Sequence, residues 1–271
     1  MFNLKGKTAL VTGAAGGIAQ AMGIALAEAG ADIIGIDIKK MDETQRRVEA
    51  LGRRFLGFTQ NLVDIDMIPE IVTKGVEQMR HIDILINCAG ISDSGYEPQH
   101  IPWEEYRAIM EINLNSMVKL SIEVYKQMII QGTGGKIINI TSIMALMTTA
   151  GSLAYTTSKC GIVGMTKVFA AAGAQHGIMS NAIAPGSIVT DMLKGVFGSR
   201  AEGNGTEVNN EGEKIYRSDY MPTRRMGVPE DLKGIAIFLA SPESDFITGQ
   251  VICMDGGIQN RNRFNAIHAF E

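Results

Sequence analysis

The chain has 271 residues, 45% of them hydrophobic and 20% charged, which suits one large globular domain with a substantial core. Its formal net charge of −4 argues against a nucleic-acid or anionic-membrane surface, and no apolar run approaches the ~20 residues that a spanning helix needs. The three cysteines, Cys88, Cys160 and Cys253, lie far apart without metal-ligand spacing and read as reduced core thiols of an intracellular protein.

Met1 leads through Phe2 to Lys7 directly into a strand, so no signal peptide is expected and the expected location is the cytoplasm. That strand, Thr8 to Val11, runs into Thr12-Gly13-Ala14-Ala15-Gly16-Gly17-Ile18-Ala19 and then a small-residue helix from Gln20 to Ala29. Gly13 lets the chain turn tightly out of the strand. Gly16 and Gly17 let backbone approach a pyrophosphate, whose charge a helix N-terminus favours. A second strand spans Asp32 to Asp37 and ends on a carboxylate about twenty residues after the glycine turn. A carboxylate there would bond adenosine ribose hydroxyls and repel a 2′-phosphate. Ile38 follows it rather than an arginine, which favours NAD over NADP, although Lys39 and Lys40 come close behind.

Met41 to Leu51 reads as a surface helix and Arg54 to Thr59 as the third strand, followed by Gln60-Asn61-Leu62. Ile65, Ile68, Ile71, Val72, Val76 and Met79 recur at helical spacing. Ile82 to Ile86 is a fourth strand leading to Asn87-Cys88-Ala89-Gly90, and Trp103 to Gln131 reads as one long helix holding Asn113. A fifth strand, Lys136 to Ile140, leads to Ser142, and a helix runs from Tyr155 to about His176. Met179 to Ile183 is a sixth strand ending in Ala184-Pro185-Gly186-Ser187-Ile188-Val189-Thr190. Asp191 to Met226 breaks the pattern and is expected to be a mobile substrate lid. A helix from Pro229 to Ala240, a last strand from Gln250 to Met254 and a tail from Ile258 to Glu271 complete the chain. The alternation predicts a single α/β domain of Rossmann type, a doubly wound and mostly parallel seven-stranded sheet covered by helices on both faces.

The chemistry is expected between Thr141 and Lys159. Tyr155 and Lys159 are four apart and share one helix face, while Ser142 sits at the carboxyl end of a strand, where open α/β sheets bind ligands. A free tyrosine has a pKa near ~10, and a neighbouring ammonium is expected to lower it so that the phenol can exchange a proton with an alcohol. A lone Tyr-x-x-x-Lys is an ordinary feature of an amphipathic helix. Here the serine and the glycine turn must be explained with it.

Thr12-Gly13-x-x-x-Gly17-Ile18, Asn87-x-Ala89-Gly90, Asn113, Ser142, Tyr155-x-x-x-Lys159 and Pro185-Gly186 with Thr190 together resemble the short-chain dehydrogenase/reductase family. Two departures are Ala19, where the family commonly has glycine, and Asn61, where it often has aspartate. The resemblance implies that Tyr155 is the catalytic acid/base and that Lys159 lowers its pKa and holds the nicotinamide ribose. It implies that Ser142 orients the substrate oxygen and that Asn113 holds a relay water. Gly13, Ala15, Gly17, Ile18, Asp37, Asn61, Leu62, Asn87, Ala89, Gly90, Tyr155, Lys159, Pro185, Gly186, Ile188 and Thr190 are the implied NAD contacts, and no metal is implied. Ser142, Met144, Tyr155 and Met192 are the expected substrate contacts, with Met147, Thr148, Thr149 and Ser152 nearby.

Within the family, Ala50-Leu51-Gly52-Arg53-Arg54-Phe55-Leu56 and Gly134-Gly135-Lys136-Ile137-Ile138-Asn139-Ile140 resemble sugar-acid dehydrogenases. The methionines leave a hydroxysteroid or other apolar secondary alcohol open as substrate. A non-catalytic NAD-binding regulator is the remaining alternative. A small alcohol or ketone is the expected partner, without nucleic acid or membrane, and the resemblance implies a homotetramer or homodimer.

Overall fold

A computed structural model describes residues 1–197, 205–208 and 214–260. In chain order the main elements are β1 (Thr8–Thr12), α1 (Gly17–Glu28), β2 (Asp32–Asp37), α2 (Asp42–Ala50), β3 (Phe55–Thr59), α3 (Ile68–Met79) and β4 (Ile84–Asn87). They continue with α4 (Trp103–Met110), α5 (Ser116–Gln131), β5 (Gly135–Ile140), α6 (Leu153–Gly173), β6 (Ile178–Pro185), α7 (Asp191–Phe197), β7 (Gly205–Val208), β8 (Lys214–Arg217), α8 (Lys233–Ala240) and β9 (Val251–Met254).

Seven strands form one sheet in the order β3-β2-β1-β4-β5-β6-β9, and every pair in it is parallel. The inner strands β1, β2, β4, β5 and β6 are buried on both faces, whereas the edge strands β3 and β9 are partly exposed. Successive side chains then divide between two cores. Ala9, Val11, Ile33, Ile84 and Ile138 pack with α1 and α8 on one face. Leu10, Ile34, Leu85 and Ile137 pack with α3 and α5 on the other. The order reverses between β1 and β4, which opens a crevice beyond their carboxyl ends, the ligand position in sheets of this kind. Register sets Asn87 of β4 beside Asn139 of β5.

Three expectations change. The helix expected over Trp103 to Gln131 is broken by a π turn at Glu111–Asn115, between α4 and α5. The helix expected from Pro229 opens as a 3-10 turn, Pro229–Leu232, before α8. Of the segment read as a lid, α7 and an antiparallel β7–β8 hairpin are described, while 198–204 and 209–213 lie outside the described residues, as does 261–271 of the tail.

The cysteines also depart from the sequence reading. Cys160 and Cys253 are exposed, and only Cys88 is partly enclosed. Cys160 falls on the outer side of α6 and Cys253 on β9, the sheet's edge strand, so neither reaches a core. Among the described residues no helix is long and apolar enough to cross a membrane.

Candidate active site

The glycine turn lies at the carboxyl end of β1. Gly13 has φ +75° and Gly17 has φ +56°, both in the left-handed region that favours glycine. A methyl at Gly13 would stand 3.2 Å from the Ala89 Cα, so this glycine also lets the β1 and β4 loops meet. Thr12 ties the same loops, its Oγ1 accepting from the N–H groups of Cys88 at 2.9 Å and Ala89 at 3.0 Å. Gly16 precedes α1 with no side-chain cap, so the first helical N–H groups are open to an anion.

Asp37 closes the far side of this turn. Its Oδ2 accepts from the Ala15 N–H and its Oδ1 from the Lys39 N–H, each at 2.9 Å. The carboxylate is thereby held against the loop with lone pairs to spare for further donors. Asn61 follows β3 and its Oδ1 accepts from the Val63 N–H at 3.1 Å, while the neighbouring Leu62 is buried. The positive-φ turn, the uncapped helix start and the fixed carboxylate suit a dinucleotide's pyrophosphate and ribose.

Asn87 is placed differently from a simple cofactor contact. Its side chain is 1% exposed and its Nδ2 donates to Ser121 Oγ and Asn139 Oδ1, both at 2.8 Å. It thus braces β4 against β5 and α5, and its Oδ1 has no protein partner. Gly90 lies where Asn113 and Lys159 converge: a methyl there would be 3.1 Å from Asn113 Oδ1 and 3.7 Å from Lys159 Nζ.

Asn113 sits in the π turn, fully buried. Its Oδ1 accepts from the Ile91 N–H and its Nδ2 donates to the Ile91 carbonyl, both at 2.8 Å, with a second donation to Ser158 Oγ at 3.2 Å. Both amide donors are thus committed to protein. π turns inside α-helices recur at functional sites because they re-aim side chains across an otherwise regular face.

Ser142, Tyr155 and Lys159 come together as the spacing predicts. Ser142 follows β5, is 7% exposed and accepts from the Met144 N–H at 3.1 Å. Its hydroxyl also reaches the Tyr155 phenol. Lys159, 4% exposed, donates to the Ile140 carbonyl at 3.0 Å, and its Nζ lies over the Tyr155 ring, 5.4 Å from the centroid. Thr141 Oγ1 donates to the Lys159 carbonyl at 2.8 Å, which locks α6 to the end of β5.

The electrostatics reverse one expectation. Burial pushes the Tyr155 phenol above the usual tyrosine range; the Ser142 hydrogen bond opposes this, and Cys88 and Asp93 add to it. Burial also pushes Lys159 down to about 8, with Cys88 acting the other way. The ammonium was expected to make the phenol more acidic. Burial is the largest influence on the phenol, and it acts the other way. Burial pushes the Cys88 thiol up to about 12, so it is no nucleophile near neutrality.

On the opposite wall, Pro185 ends β6 and Gly186 follows, packed so closely that a methyl would meet the Asp255 Cα at 2.8 Å. Ile188 is buried and bridges to Gly227. Thr190 Oγ1 accepts from the Leu193 N–H at 3.3 Å at the start of α7, and Thr190 Cγ2 would be 3.6 Å from a methyl at Gly17. That contact joins the β6 loop to the glycine turn. Ile18 and Ala15 are partly buried beside it, Met144 is half-buried, and Met192 is 43% exposed.

Asp93 is the site residue that sequence reasoning missed. It is buried, lies close enough to affect the Tyr155 phenol, and accepts from the Tyr155 N–H. Its setting, Ile91-Ser92-Asp93-Ser94-Gly95, reads as an ordinary polar loop.

The profile of the family described as Enoyl-(Acyl carrier protein) reductase matches residues 13–259. The chain is 40% identical over 258 residues to the 2-dehydro-3-deoxy-D-gluconate 5-dehydrogenase of Escherichia coli (strain K12), covering 94% of this chain and 96% of that one. It is 39% identical over 261 residues to the protein of the same name from Bacillus subtilis (strain 168), covering 96% and 97% respectively. Among solved structures, a short-chain type dehydrogenase/reductase from Mycobacterium marinum matches with a TM-score of 0.86 and 28% identity, covering 96% of this chain and 98% of that one.

Proposed function

The chain belongs to the short-chain dehydrogenase/reductase family, and from that premise we propose that it interconverts a secondary alcohol and a ketone on a sugar acid or polyol, with NAD as cofactor. The observation that carries this reading is the meeting of Ser142, Tyr155 and Lys159 at one edge of the crevice whose other edge is the glycine turn. The full-length likeness to two 2-dehydro-3-deoxy-D-gluconate 5-dehydrogenases supports the sugar-acid class.

NAD, when bound, supplies the hydride acceptor and, in its oxidised form, a positive charge at the nicotinamide ring. The backbone of the Gly13 to Gly17 turn and the start of α1 would hold its pyrophosphate, and Asp37 its adenosine ribose. Ala89, Gly90, Pro185, Gly186, Ile188 and Thr190 would line the remainder, with Asn61 and Leu62 at the adenine end. Ser142 Oγ holds the substrate oxygen. In reduction the neutral Tyr155 phenol donates its proton to the substrate oxygen; in oxidation Oη first releases its own proton to water and then takes that of the alcohol as the phenolate. Its raised pKa makes the neutral phenol the resting form, which is the proton donor that ketone reduction requires. Lys159, poised near 8, can gain or lose a proton under physiological conditions. Asn113, its side chain fixed by Ile91 and Ser158, would hold the relay water that the family resemblance implies.

Met144 and the exposed Met192 favour a second reading in which the substrate is a hydroxysteroid or another apolar alcohol. The test is a panel of sugar acids, polyols and hydroxysteroids oxidised with NAD and followed by NADH absorbance. Turnover of a sugar acid or polyol is the expected result. Turnover confined to apolar alcohols would transfer the assignment to them. No signal from any of them, despite tight NAD binding, would leave a binding protein without turnover.

We also propose a cytoplasmic homotetramer whose contacts come from α6 and the C-terminal segment. Light scattering that finds only the 29.2 kDa monomer at micromolar concentration would contradict the assembly.

A further inference from the structure

The chain from Ile91 to Gly95 runs as a strap across the amino-terminal end of α6, and several contacts tie it down. Asn113 holds Ile91 at both its N–H and its carbonyl, 2.8 Å each. From α4, the Glu105 carboxylate accepts from the Ser94 N–H at 2.7 Å. Gly95 and Gly151 meet backbone to backbone, since a methyl at Gly151 would stand 2.8 Å from the Gly95 carbonyl oxygen. Between these anchors lies Asp93, 6% exposed, whose Oδ2 accepts from the Tyr155 main-chain N–H at 3.2 Å. That N–H is one of the donors a helix leaves unsatisfied in its first turn, and Ser152 at the N-cap makes no side-chain bond to it.

We propose that Asp93 is a positioning residue for Tyr155: its carboxylate holds the first turn of α6 against the strap and so fixes where the Tyr155 side chain stands. The proposal rests on the reading that Tyr155 moves the proton. The carboxylate has two separable effects, one geometric through the Tyr155 N–H and one electrostatic on Tyr155 Oη. The other groups that face the pair are Cys88 from the loop after β4, Glu105 from α4, Ser142 from the end of β5, and Lys159 one turn along α6. Ser142 favours the phenolate, while Cys88 and Asp93 oppose it. Asp93 is the one of these whose side chain bonds the Tyr155 backbone.

Asp93→Asn separates the two effects, because the amide oxygen can still accept from the Tyr155 N–H while the charge is gone. The Tyr155 phenol is titrated in the substrate-free protein by ultraviolet difference spectroscopy, with Tyr155→Phe in the same background subtracted to remove the other tyrosines. The phenol in Asp93→Asn is expected to titrate lower than in the wild type. The acid limb of kcat/KM for alcohol oxidation is expected to move down with it. Asp93→Ala is expected to move the limb as far and, by loosening the first turn, to lower kcat as well. In unsubstituted protein carrying 13C-labelled tyrosine, the Tyr155 Cζ resonance is expected to inflect where Asp93 titrates, a reading that needs no folded variant. A purely structural Asp93 predicts neither effect, so an unchanged phenol titration in folded Asp93→Asn, or a Tyr155 resonance without the inflection, overturns the proposal. Both titrations are free of substrate, so they stand apart from failure of the substrate panel, which would strike the proposed reaction.

Discussion

Lys159 Nζ lies over the face of the Tyr155 ring, 5.4 Å from its centroid, and donates to the Ile140 carbonyl at 3.0 Å. The pair shares one face of α6, with the cation over the ring. A cation–π contact contributes about 0.5–2 kcal/mol. Moving the lysine from 10.5 to about 8 corresponds to about 3 kcal/mol against the charged form, so burial outweighs the ring contact.

Lys159→Met should therefore stabilise the fold at neutral pH, by about 1–3 kcal/mol, while abolishing turnover. The sign follows from proton counting. Between about 8 and 10.5 the unfolded chain keeps a proton that the folded wild type has released, so wild-type stability from this group rises with pH across that window. The advantage of Lys159→Met should accordingly be full below pH 8 and shrink toward pH 10.5. Parallel urea melts at pH 7, 9 and 10 check this, and a gap that does not change with pH contradicts it.

Gly13 and Gly16 should respond to alanine in different ways. Gly13 combines φ +75° with a contact of 3.2 Å at the Ala89 Cα, so Gly13→Ala should cost about 1–3 kcal/mol of stability as well as NAD affinity. At Gly16 a methyl meets nothing within 4 Å, and φ is not positive. Gly16→Ala should leave the unfolding free energy within about 0.5 kcal/mol of wild type and weaken NAD binding by about tenfold or more, because the pyrophosphate is expected there. Calorimetric NAD titration beside the melts is the measurement. Unchanged affinity in Gly16→Ala would remove the phosphate from this turn.

Asp37 is held by the Ala15 and Lys39 N–H groups, both at 2.9 Å, in the position where a ribose hydroxyl or a 2′-phosphate would arrive. Asp37→Ala should narrow the preference for NAD over NADP by about tenfold or more, since repulsion of a second negative group is lost. The ratio of kcat/KM for the two cofactors reports this directly. An unchanged ratio would mean that Lys39, Lys40 or the loop backbone sets the preference.

The sheet was legible because its inner strands are buried on both faces. Thr8 to Val11 and Asp32 to Asp37 stand out as apolar runs ending in a glycine turn and a carboxylate. Tyr155, Lys159 and Ser142 were legible because helical spacing and a strand end are local properties. The π turn was not, since one inserted residue hardly disturbs the apolar period of Trp103 to Gln131. The β7–β8 hairpin was hidden in a glycine- and asparagine-rich stretch without alternation. The direction of the Tyr155 shift depends on how deeply a side chain sits, and spacing alone carries no information on that. Asp93 escaped for a related reason: its chemistry comes from the element it touches, sixty-two positions away along the chain.

The central claim is that the Tyr155 hydroxyl carries the proton. Its most direct test is Tyr155→Phe, assayed on a substrate that the wild type turns over, with NAD affinity measured on the same preparation. Removal of that one oxygen should lower kcat by about 10²–10⁴-fold while NAD still binds within a few-fold of wild type. A variant that binds NAD and retains a near-wild-type rate would contradict the account.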